Sequence, residues 1–332
     1  MEPNANLRIN SRPYAPTSQH NIKWKARMPN TINNQSALIN QLISNKRLES
    51  YKAVFHCSNE AELIGAYLWN IEVCSALFPL LTSAEVTLRN SIDHALTQSF
   101  GRFWWRKGRL RYNSYAPDKE PPFSVSAITN NFSKATNQVK RDKQARYNIA
   151  NVRPLHQEII AKTEFSTWEF ILDNEFMGDE LIWPAQLGKV FQGKWPSTSA
   201  ASMLSSTKDL VKTVREFRNR VSHNEPIWKR YGVGSQEDSI AHLHEKIDRI
   251  YKLILLISPR KAELVKEQNF LSSAMRVCST NEITICQNKA KTHNIDSIKE
   301  LRHAMMEATA QNHTIIIETS EAPHCKLIPL RY

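Results

Sequence analysis

Eight glycines serve a chain of 332 residues, far below the roughly 7% usual in proteins. Tight-turned β architectures depend on positive-φ positions that glycine supplies most cheaply. A chain this poor in glycine is predicted to be mainly helical. The apolar spacing agrees. Between 80 and 100, Leu81, Glu85, Leu88, Ile92 and Ala95 recur at alternating four- and three-residue steps, the rhythm of a buried seam. Glu85 stands inside that stripe, where a carboxylate is costly unless paired. Arg89, one turn later, is the expected partner.

The same reading organises the rest of the chain. Residues 1–35 read as a flexible arm, with Pro3, Pro13, Pro16 and Pro29 and no apolar period. Within it Lys23, Lys25 and Arg27 surround Trp24, which suits either an RNA clamp or an unstructured terminus. A helical domain is expected over 36–277. Asn59 with Glu62 reads as a capping box opening a helix to about Leu77, and Pro79 separates it from a second helix over 80–100 that Gly101 closes. A loop with Pro117, Pro121 and Pro122 precedes a basic helical stretch through 134–146. Two or three short aromatic-rich helices fill 155–192. Longer ones follow over 199–222, stopped by Pro226, then over 236–257 and 259–277. A small α/β appendage completes the chain from 278 to 332: β-branched strands over 282–287 and 314–319 flank a helix at 295–309. The fold class is therefore all-α, a helical bundle with a C-terminal β-α-β addition.

Charge narrows the partner. The formal net charge is +12, and nucleic acid is the first polyanion to consider. Segment 102–111, Arg-Phe-Trp-Trp-Arg-Lys-Gly-Arg-Leu-Arg, sets Arg102, Arg106, Lys107, Arg109 and Arg111 around Phe103, Trp104 and Trp105. Cations bind phosphates and flat rings stack on bases, so the segment is a candidate RNA-binding site. The competing reading sends both tryptophans into the core. Five scattered cysteines contain no CxxC pair, which predicts reduced thiols, no structural metal and no cofactor. The opening residues lack a signal peptide's apolar centre, and the apolar runs are too short to suggest a membrane span. A cytoplasmic location is expected.

One segment carries candidate chemistry. Arg218-Asn-Arg-Val-Ser-His223 places an arginine five residues before a histidine. Spacing alone is uninformative, since roughly two chance matches are expected and Arg89-Asn-Ser-Ile-Asp-His94 fits equally well. Position separates the two. His94 falls in mid-helix on the polar side, whereas His223 falls at a helix end, three residues before Pro226, where free carbonyls favour a protonated imidazole. Cleaving RNA without metal uses the 2′-hydroxyl as nucleophile and needs a base, an acid and a fixed cation. Histidine supplies proton transfer; arginine offers phosphate a planar fork that stays charged. One Arg–His pair is too few groups for both proton transfers, so a homodimer joining two pairs is predicted. Asn219 orients or binds. Glu225 either holds the His223 ring or faces solvent.

Four motifs occur in order: Glu85-Val-Thr-Leu-Arg89-Asn90, Thr163-Glu-Phe-Ser-Thr-Trp168, Leu181-Ile-Trp183, and Phe217-Arg-Asn-Arg-Val-Ser-His223-Asn-Glu-Pro-Ile-Trp228. Together, over residues 36–257, they resemble the Abi-like abortive-infection family. That resemblance implies a HEPN-type bundle, a phage-defence or toxin role and endoribonuclease activity. It makes Arg218 and His223 catalytic with Asn219 beside them, and Glu85, Arg89 and Asn90 supporting residues from a second helix. RNA is the implied substrate, and an RNA or protein antitoxin is a candidate partner. Family members often carry histidine where Asn224 stands, and a glycine where Ser166-Thr167 stand. A non-catalytic RNA-binding or interaction module is the alternative reading.

Overall fold

The structure is a computed structural model that describes residues 43–106, 108–148, 151–320 and 324–330. All of them belong to one unit of the chain, Asn34–Tyr332. The expected N-terminal arm, with its Lys23–Arg27 cluster, and Lys107 lie outside the described residues.

The central element is helix α2, Glu60–Phe100, which follows the short helix α1, Asn45–Val54. Asn59 caps α2 by accepting from the Glu62 amide at 3.0 Å, and the Glu62 carboxylate accepts from the Ser58 amide at 2.7 Å. Gly101, at φ +81°, ends it. The expected break at Pro79 does not occur: the helix runs through it. An internal proline costs roughly 3 kcal/mol. Against that, Trp69, Val73 and Leu77 before it and Leu80, Leu81, Ala84 and Leu88 after it are all buried, each large side chain contributing about 1.5–3 kcal/mol. Packing on both flanks outweighs the local penalty.

Helix α3, Phe123–Tyr147, and the short helices α4, His156–Ala161, α5, Phe165–Phe170, and α6, Leu187–Val190, build the aromatic side of the body. Helices α7, Ala200–Ser222, and α8, Gln236–Ile257, pack on α2. Their caps explain their sharp starts: Ser199 accepts from the Ser202 amide and Ser235 from the Asp238 amide. The carboxyl end of α8 is closed by backbone alone. Amides of Gln192 and Gly193 donate to Ile257 and Leu256 carbonyls at 3.2 and 2.9 Å. A Cβ at Gly193 would stand 2.2 Å from the Leu255 oxygen, so only glycine fits.

The single helix expected over 259–277 is two, α9, Pro259–Glu267, and α10, Phe270–Val277, because Asn269 adopts a left-handed conformation between them. The strand expected over 282–287 is also corrected: Thr280–Cys286 is a helix, α11. Ser279 caps it, and the buried Glu282 carboxylate meets Arg276 at 2.5 Å and the Thr314 hydroxyl. β-branched side chains at 283–285 favour a strand locally, but this ionic anchor and the packing of α11 on α2 decide otherwise. The contact is close, since a Cβ at Gly65 of α2 would meet the Cys286 carbonyl at 2.2 Å. A β-α-β unit does follow. Strand β1, Thr292–Asn294, leads through α12, Ile298–Gln311, to a parallel β2, Ile315–Glu318, and β3, Cys325–Leu327, adds antiparallel. The described fold is thus mostly helical, with three short strands.

By length and composition α2 is apolar enough to cross a membrane. In this structure it lies among other helices, with residues from Ile64 to Leu96 in the core.

Candidate active site

The site forms where α7 ends. Its apolar face, Met203, Leu204, Thr207, Val211, Val214, Phe217 and Val221, is buried, which turns Arg218 toward α2. There the Arg218 Nε donates to Glu85 Oε2 at 3.2 Å, across 133 residues of sequence. Glu85 is 17% exposed and Arg218 36%. The carboxylate in the apolar seam is therefore paired, but not with Arg89: that guanidinium instead donates from Nε to Asn90 Oδ1 at 3.3 Å. The reason is geometric. Glu85 points off α2 toward α7, while Arg89 and Asn90 close on each other. Neither is bonded to Arg218 or His223 among the described residues.

His223 is the residue that leaves the helix, at φ −98° and ψ 7°, its amide held by the Asn219 carbonyl at 3.2 Å. Asn224 then turns left-handed, φ +47°. Residues 224–229 form a clamped turn. Buried Asn70 of α2 donates to the Glu225 carbonyl at 3.0 Å and accepts from the Ile227 amide at 3.1 Å. Arg47 of α1 donates to the Asn224 carbonyl at 2.5 Å. Arg220 donates to the carbonyls of Pro226 and Lys229 at 2.6 and 3.0 Å. Ile227 and Trp228 are buried, and Trp228 meets Tyr51 and Phe55 edge to face. Against this fixed background the His223 ring is exposed, with no side-chain hydrogen bond among the described residues. Glu225 does not hold that ring; it pairs with Arg220 at 3.3 Å. Asn219 is half-buried one turn before His223. His94, the competing histidine, lies exposed on α2 against Gln98 at 2.9 Å.

Segment 102–111 divides by residue type. Trp104 and Trp105 are 1% and 8% exposed, which corrects their assignment as base-stacking residues. Trp104 Nε1 donates to Asp93 at 2.9 Å, and Trp105 lies flat on Phe132 with centroids 4.2 Å apart. No RNA base reaches rings so placed. The arginines stay outside. Arg106 covers the Phe103 ring at 4.2 Å, Arg109 donates to the Arg102 carbonyl at 2.7 Å, and Arg111 meets Glu180 at 3.4 Å in full view of solvent. Arg109, Arg111, Leu181 and Ile182 line a cleft of about 460 Å³ floored by Trp104.

Sequence reasoning missed one buried network. His156 is 5% exposed; its Nδ1 accepts from the Phe103 amide at 3.0 Å, so Nε2 carries the proton toward Asp93 at 3.0 Å. The ring pins segment 102–105 to α2 rather than facing a ligand. Nothing in the spacing of positions 93, 104 and 156 signals it. Among the described residues, no three His, Cys, Asp or Glu side chains converge as a metal site. No family model matches this chain, and neither a curated protein nor a solved structure does.

Proposed function

We propose that this chain is a metal-independent endoribonuclease of the HEPN type, acting in the cytoplasm as part of an abortive-infection or toxin system. The observation that carries the reading is the exposed His223 ring, without a side-chain hydrogen bond among the described residues, on a clamped turn five residues beyond an arginine already oriented by Glu85. In the proposed reaction His223 accepts the 2′-hydroxyl proton as that oxygen bonds to phosphorus. The bond from phosphorus to the 5′-oxygen breaks, an acid protonates the departing oxygen, and a 2′,3′-cyclic phosphate remains. Arg218 meets the charge growing on the phosphoryl oxygens. Glu85 keeps that guanidinium from swinging freely and yields it partly to the substrate. A second copy of the chain, related by two-fold symmetry, brings the second imidazole. The arginine rim at 102, 106, 109 and 111 holds substrate phosphates without stacking bases.

The test is cleavage of end-labelled RNA in EDTA. Wild-type protein is expected to cut, and His223→Ala to cut slower by about 10²–10⁴. An equal rate in the variant refutes the mechanism, and dependence on added divalent metal refutes its metal independence. The arginine rim also favours a second reading, an RNA-binding module without catalysis, which predicts salt-sensitive binding and intact RNA at every pH.

A further inference from the structure

A second cleft, of about 410 Å³, lies between α11 and the β-α-β unit. The parallel register of Thr292 with Ile316 sets positions 291 and 293 of the first strand region beside 315–317. As a result Lys291, His293 and His313 line one cavity. Lys291 is exposed and makes no ion pair among the described residues, and neither imidazole has a side-chain hydrogen bond there. The neighbouring Lys289 is spent, held by Glu62 at 2.7 Å and the His56 carbonyl. Glu307 and Gln311 of α12 line the same cleft, so one carboxylate shares it with Lys291 and the two imidazoles. Lys291 and the two imidazoles thus bring to one cleft N–H donors that no protein acceptor takes among the described residues, the groups an oxyanion needs. The apolar wall of Ile315 and Ile316 gives room for more than a bare ion.

We propose that this cleft binds a nucleotide phosphate, carried either by a free mononucleotide or by a nucleotide within RNA. The site is independent of His223 and of cleavage. Titration calorimetry on the full chain, in the His223→Ala background so that RNA survives, tests it with two probes: AMP and a 5′-phosphorylated single-stranded RNA hexamer. Lys291→Glu, and separately His313→Gln, are expected to weaken AMP binding at least tenfold, while Lys252→Glu, an exposed lysine of α8 away from the cleft, leaves it unchanged. If only the hexamer binds and Lys291→Glu weakens it tenfold, the phosphate is one within RNA. Thermal melting of each variant confirms that it folds. Should neither probe bind, or should both bind Lys291→Glu and His313→Gln as tightly as the parent protein, the site does not exist. If AMP binds here with the expected loss in Lys291→Glu while the wild-type protein leaves labelled RNA intact, the nuclease reading falls and this one stands.

Discussion

Asn70 shows how one buried amide controls exposed chemistry. Its two bonds to the turn at 225–227 are made where it is 0% exposed, so Asn70→Ala removes both and leaves an unpaired carbonyl and amide behind. The expected cost is about 2–3 kcal/mol in urea unfolding, with cleavage falling alongside although no proposed catalytic group is touched. Unchanged stability would show that the turn holds itself. His242 gives a pH test. Burial foremost, then the charges of Lys246 and Arg230, lowers its pKa from 6.5 to about 4, and neither ring nitrogen has a hydrogen-bond partner among the described residues. The unfolded chain therefore takes up a proton near pH 6.5 that the folded chain refuses. Stability is whole above that pH and declines as pH falls from 6.5 toward 4, by up to about 3 kcal/mol from this group. His242→Phe should flatten that acid limb, read as melting temperature against pH; a limb of unchanged slope assigns the loss elsewhere. The Arg218–His223 spacing was readable in the sequence, but the true partner of Glu85 was not. An i,i+4 rule sees four residues ahead, and Arg218 is 133 residues away.

Elements were legible where local chemistry and packing agree. A one-sided apolar stripe and the Pro226 stop place α7 almost to the residue, and the expected bounds of α8 match as well. They were misread where the two conflict. Pro79 is a local breaker inside a helix that the core holds on both sides, and the β-branched run at 283–285 is a local strand former inside a capped, ion-anchored helix. The first case makes a prediction. Pro79→Ala restores a backbone donor, worth roughly 3 kcal/mol, and returns about 1 kcal/mol of unfolded-chain entropy. A net gain near 2 kcal/mol is expected in urea denaturation. A loss would mean that the pyrrolidine ring itself fills a place no smaller side chain can.

For the molecule as a whole, charge and site are separate parts of the surface. Phe100, beside the arginine rim, lies fifteen residues along α2 from Glu85, roughly 22 Å at helical rise. RNA engaging both must be extended, and the rim must act on affinity more than on turnover. Replacing Arg102, Arg106, Arg109 and Arg111 by alanine should flatten the salt dependence of single-stranded RNA binding by about 0.7 in log–log slope for each phosphate released. Filter binding over a salt series measures it, and a slope that stays the same would place the RNA elsewhere. The net charge of +12 pointed to a polyanion, but no composition reveals which tryptophans the core takes. Trp104 and Trp105 are claimed by Asp93 and Phe132, partners that only the fold brings near.

Asn70 and Glu85 sit on one uninterrupted rod, and each grips one end of the Arg218–Trp228 stretch. Helix α2 therefore works as a jig, setting where the guanidinium and the imidazole stand by counting its own residues. Adding a single residue between positions 70 and 85 would twist one grip by about 100° and slide it about 1.5 Å relative to the other. No side chain would be lost, yet the two halves of the workpiece would fall out of alignment.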